Sequence, residues 1–175
     1  MNLTSLRQIW GRPEARFLIV FLTILGSSFT VIALNQVNDA IVLPYTAFVA
    51  RVSAAVLRVL GEPAAVTGCV VSSPRFAVTI YNGCNGLITS LIFIAGVLAF
   101  PARWTAKLIG VVGGLVVIQI LNLIRILSLF YIGIYFPDYF NDAHIFIWQS
   151  LIIVAGVALW MVWAHRFAVR AETAQ

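Results

Sequence analysis

Residues 106–135 read AKLIGVVGGLVVIQILNLIRILSLFYIGIY, and only Lys107 and Arg125 carry charge in that run. A bilayer core of about 30 Å is crossed by roughly 20 apolar helical residues at 1.5 Å rise each. This stretch exceeds that length and is apolar on every face, so it belongs in lipid. Three further runs meet the same reading: residues 17–34 (FLIVFLTILGSSFTVIAL), 86–101 and 143–163. The composition agrees. The chain has 175 residues, of which 62% are hydrophobic and 10% charged, against about 45–50% and about 25% in soluble domains. A soluble enzyme, a disordered chain and a nucleic-acid binder are therefore excluded. The net charge of +5 comes from small basic clusters between the apolar runs. The expectation is an all-α integral membrane protein, a single polytopic domain over residues 1–175.

The first run follows Arg7, Arg12 and Arg16. It is longer than the about 7–15 residues of a signal-peptide core, so it reads as an uncleaved anchor. Residues 41–60 are apolar but carry Arg51 and Arg58 at i, i+7, with Pro44 near the start. That pattern predicts an amphipathic helix lying in the membrane interface. About four transmembrane helices then leave both termini on one side, with Arg7, Arg12, Arg16, Arg103, Lys107, Arg166 and Arg170. The positive-inside rule makes that side cytoplasmic, at an inner (plasma) membrane. The external segment, 35–85, holds two β-branched and aromatic runs, 66–71 and 76–81, around Ser72-Ser-Pro-Arg75. They predict a small external β-hairpin.

Depth sorts the polar residues. Arg125 lies 18 residues beyond Lys107, about 27 Å up the helix, near the outer edge of the hydrocarbon. Asn122 shares its face at i−3. Cys84 precedes Arg103 by a similar length, and His144 precedes His165 by 21 residues, about 31 Å. Three separate counts thus bring Cys84, Arg125 and His144 to one external level. Each has a plainer reading: a snorkelling arginine, an interfacial histidine, and a core cysteine or one bridged to Cys69. Asp142 is most simply the N-cap of the last helix. Together the three residues suit a cysteine nucleophile. A thiol at a helix start near cations is acidified, a histidine shuttles its proton, and an arginine stabilises an oxyanion. No cofactor and no metal enters this reading.

The chain here resembles the exosortase/archaeosortase group of membrane transpeptidases. That group carries Cys-x-Gly-Leu opening a helix, Asn-x-x-Arg in the next helix and a His opening a later one. The matching residues are Cys84-Asn-Gly-Leu87, Asn122-Leu-Ile-Arg125 and His144, and the likeness is greatest to the exosortase H subgroup. Asn85 stands where members commonly carry Ser, and Trp148 where they often carry Gly. The resemblance implies a catalytic trio of Cys84, Arg125 and His144, supported by Asn122, Asn85 and Asp142. It implies as partners exported proteins whose C-terminal tail combines a short motif, a transmembrane helix and a basic cluster. For exosortase H the motif is of the IPTLxxWG type. Membrane lipid is the other partner; nucleic acid is not. The tail would be cleaved through an acyl-enzyme and the protein passed to an acceptor amine. Two rivals are a protease that only hydrolyses, and a non-enzymatic scaffold or small transporter subunit in which Arg125 and Asn122 glue helices.

Overall fold

The computed structural model describes residues 12–168; Arg7 and Arg170, two of the charges used for orientation, lie outside them. Helix α1 (Pro13–Ile32) starts on a proline whose fixed φ and missing N–H suit the first turn. It buries no residue. Its hydroxyls are satisfied within the helix: Thr23, Ser27 and Thr30 each donate to the carbonyl four residues earlier, at 2.7–2.8 Å. A helix facing hydrocarbon has to do this, because lipid offers no partner.

Helix α2 (Asn35–Val59) begins with a π-helical turn at Asn38–Val42. Length and hydropathy would let it cross a membrane, and it packs beside the later long helix, with Tyr45 to Val52 near Leu115 to Leu123. Asn38 accepts a 2.8 Å bond from Asn82, two residues from Cys84. At the other end Ala54 and Leu57 are buried in one cluster with Val71, Ile126 and Phe130.

Three strands follow: β1 (Ala65–Thr67), β2 (Val70–Ser72) and β3 (Ala77–Thr79), antiparallel in the order β1-β2-β3. The expected hairpin is present as β2–β3, and β1 adds a third strand to it. Gly68 adopts φ +61, a left-handed conformation open to glycine at little cost, and folds residues 66–71 into two strands. Glu62 and Arg75 form an ion pair. Arg75 also donates to the Tyr135 hydroxyl at 3.3 Å and lies over that ring. The sheet is thereby tied to the C-terminal end of the long helix Trp104–Tyr135. Hydrogen bonding to Arg75 holds the Glu62 carboxyl below its ordinary range.

Helix α3 (Leu87–Ala99) has 13 residues, about 20 Å, and is shorter than the expected 86–101 span. Gly86 at φ +79 starts it late, and Phe100, extended before Pro101, stops it early. Helix α4 (Trp104–Tyr135) extends two residues before its expected start, and α5 (Pro137–Phe167) starts six residues early. Among the described residues, the helices long and apolar enough to cross a membrane are α1, α2, α4 and α5. Helix α3 sits among α1, α4 and α5. Glycines allow the close approach: a Cβ on Gly114 would strike the Phe93 ring, and one on Gly110 the Trp163 ring. Phe17, Phe100, Trp160 and Trp163 gather at one end, with centroids 5.6–6.1 Å apart. The outward faces of α1, α4 and α5 carry exposed Leu22, Val112 and Val154. This mostly helical architecture is that of an all-α membrane protein.

Candidate active site

Cys84 lies in the turn between the sheet and α3, its N–H donating to the Tyr81 carbonyl at 2.8 Å. It stands three residues before the first helical residue, not in the first turn. Asn85 builds the turn from within. It is fully buried, its Oδ1 accepts the Leu87 N–H at 3.0 Å, and its Nδ2 donates to Thr46 Oγ1 at 2.8 Å. The Tyr45 hydroxyl donates to the Asn85 carbonyl at 3.1 Å. A Cβ on Gly86 would stand 3.0 Å from Gln119 Nε2 and 3.2 Å from Asn122 Cγ. Glycine meets both this left-handed backbone and this close approach without strain.

His144 comes from the π-helical stretch Ala143–Trp148 of α5. Phe140, one turn earlier, stacks on its ring with a 10° interplanar angle. Its Nε2 is 2.9 Å from Cys84 Sγ. Arg125, on α4, directs Nη2 at the same sulfur from 3.7 Å. Arg125 is 3% exposed and Asn122 2%. Among the described residues, Arg125 Nε and Asn122 Nδ2 find no hydrogen-bond partner. A buried donor left unpaired costs about 1–3 kcal/mol, so Arg125 keeps unused donor capacity beside the thiol.

The structure thus brings Cys84, Arg125 and His144 to one point, with Asn122 adjoining and Asn85 beneath. Asp142 is elsewhere. It is exposed and helical (φ −65°, ψ −44°) with no capping bond, because α5 already begins at Pro137. The expected acidification of Cys84 is also reversed: burial pushes the thiol up, and Arg125 and the Tyr81 backbone offset this only partly. Both cysteines are free, which removes the bridge to Cys69. Sequence reasoning missed Phe140, whose i, i+4 spacing to His144 was the available signal. It also missed Thr46, Tyr45 and Gln119, whose role comes from tertiary packing.

A cavity of about 340 Å³ opens on the trio, lined also by Phe76, residues 77–81, Ile126, Leu129 and Phe140. Among the described residues no group of three or more His, Cys, Asp or Glu could hold a metal. A thiol, a base at 2.9 Å and a guanidinium beside an apolar cleft can carry out acyl transfer. Comparison with known families adds one finding: the model of the transmembrane exosortases matches residues 3–163. No curated protein and no solved structure matches the chain.

Proposed function

The chain belongs to the transmembrane exosortase family, and from that premise we propose that it is a cysteine transpeptidase acting on C-terminal sorting tails of exported proteins. The observation that carries this reading is the 2.9 Å contact of Cys84 Sγ with His144 Nε2, with Arg125 on the same sulfur. Burial disfavours the resting thiolate, so the nucleophile has to be generated by a base. His144 takes the thiol proton as sulfur attacks the scissile carbonyl, and a C–S bond forms. Arg125 donates to the resulting oxyanion. The tetrahedral intermediate collapses, the C–N bond breaks, and His144 returns the proton to the leaving amine. An acceptor amine then attacks the thioester, gives its proton to His144, and releases the product as the thiol is reprotonated. Unpartnered Arg125 Nε speaks against the scaffold reading, since a helix-gluing arginine would spend its donors on other helices.

In this proposal the site faces the extracytoplasmic side of the inner membrane and the termini face the cytoplasm. Helix α2 then lies along the outer interface. The reading is tested by intact mass of a reporter carrying an IPTLxxWG-type tail, co-expressed with wild type or Cys84→Ala. The expected result is a truncated reporter bearing an added amine, dependent on Cys84. Truncation with water alone gives the hydrolytic rival, and identical masses in the two strains overturn the proposal.

A further inference from the structure

The cavity that holds the thiol is walled on one side by six consecutive residues, Phe76 to Tyr81, which include all of β3. β3 is an outer strand of the sheet, paired only with β2. The ladder fixes which way its backbone groups point. Ile80 donates to the Cys69 carbonyl at 2.9 Å, and Ser73 donates to the Phe76 carbonyl at 2.7 Å. With Val71 opposite Val78, these are the narrow, hydrogen-bonded pairs of an antiparallel ladder, and they alternate along the strand. Phe76, Val78 and Ile80 therefore spend their backbone groups on β2. The N–H and C=O of Ala77 and Thr79 point to the free edge, and both residues are exposed. Among the described residues nothing else bonds to these groups.

An unpaired strand edge is a template for another strand, and here it borders a nucleophile. After Thr79 the chain passes through Ile80 and the Tyr81–Cys84 turn directly to the thiol. A peptide laid along this edge is delivered to Cys84. Beyond it, Phe76, Leu129 and Phe140 offer apolar lining to alternate side chains.

We infer that the substrate segment flanking the scissile bond binds as an added fourth strand, hydrogen-bonded backbone to backbone with Ala77 and Thr79. This deepens the transpeptidase reading and rests on it. Main-chain bonds would supply affinity and hold the segment extended, while the apolar lining selects side chains.

The test has two arms, both with the reporter ending in an IPTLxxWG-type tail. In the first, Thr79→Pro deletes one edge-facing N–H, a change an edge position tolerates because that N–H is not in the ladder. Processing at low reporter concentration should fall roughly tenfold, mainly through KM, as for the loss of a bond worth about 1.4 kcal/mol. Thr79→Val, which retains the N–H, should lose far less; an equal loss in the two variants overturns the inference. The second arm needs no turnover. Thr79→Cys is placed in a Cys69→Ser, Cys84→Ala background, and single cysteines are moved through the reporter motif under oxidation. Strand addition predicts disulfide trapping at alternate motif positions. Trapping without that alternation, no trapping, or a disulfide-linked dimer of the enzyme in place of the reporter adduct overturns it. Cys84-dependent processing by wild type without alternate trapping refutes strand addition alone. Absent wild-type processing counts against the transpeptidase reading itself, whatever the trapping shows.

Discussion

The thiol at residue 84 is held between two opposed influences. Burial pushes its pKa up, and the Arg125 charge pulls it back. A group whose pKa is raised is mostly protonated at pH 7, so Cys84 needs His144 to become a nucleophile. Iodoacetamide alkylation of Cys84 in a Cys69→Ser background should rise with pH, with a midpoint above the ordinary thiol value of about 8.5. Arg125→Gln removes the opposing charge and should move that midpoint further up; an unchanged or lower midpoint would separate Arg125 from the sulfur. Catalysis should fall about 10²–10⁴-fold in His144→Ala and about 10²–10³-fold in Arg125→Ala. Arg125→Lys should not restore it, because a point charge lacks the planar fork of donors. The double variant should be little worse than either single one if the residues act as one unit. Reporter turnover measures all four, and near-full turnover in either alanine variant would make the constellation structural. Depth counting along apolar runs was enough to bring these side chains to one level, since helical rise is fixed. It could not give the thiol's ionisation, because burial depends on neighbours from four separate segments.

Among the elements, the turn from Asn82 to Leu87 is the most constrained. Gly86 needs a left-handed backbone and space against Gln119 and Asn122. Gly86→Ala should cost about 1–2 kcal/mol from backbone handedness and displace Cys84 from His144. The expected outcome is a lower melting temperature in detergent together with reduced reporter turnover; full turnover would show that the turn tolerates both. The Cys-Asn-Gly-Leu stretch was legible as a motif, but the bracing of Asn85 by Thr46 and Tyr45 was not, because those partners lie about 40 positions away in sequence. The sheet was legible only as two runs. A glycine inside a β-branched stretch is compatible with a bulge, a turn or a plain strand, and Gly68 made it a turn. Helix α5 shows the same limit. Its apolar run was evident, but the π-helical turns that position His144 leave no mark in residue periodicity.

At the scale of the whole molecule, the charges decide how the bundle sits in the membrane. The aromatic cluster of Phe17, Phe100, Trp160 and Trp163 brings together the start of α1, the α3–α4 junction and the end of α5. Arg12, Arg16, Arg103, Lys107 and Arg166 therefore share one end. Lys107 is anchored there, donating to the Leu98 carbonyl at 2.6 Å and lying over Trp104. The opposite end carries the sheet, the Glu62–Arg75 pair and the thiol. On the positive-inside rule, the proposed orientation holds the basic end in the cytoplasm and the thiol outside. The proposal lays α2 along the outer interface, although its length would suit a span. Single cysteines in a Cys69→Ser, Cys84→Ala background test the proposed orientation. An impermeant maleimide added to intact cells or spheroplasts should label Ser73→Cys, beside the sheet, and leave Thr105→Cys, at the basic end, unlabelled until the membrane is opened. The reverse pattern would invert the molecule and place the thiol on the cytoplasmic side. Labelling at neither site until lysis would bury the sheet itself in the bilayer, which its exposed Ala65, Ala77 and Thr79 make costly, because hydrocarbon offers the free strand edges no hydrogen bonds.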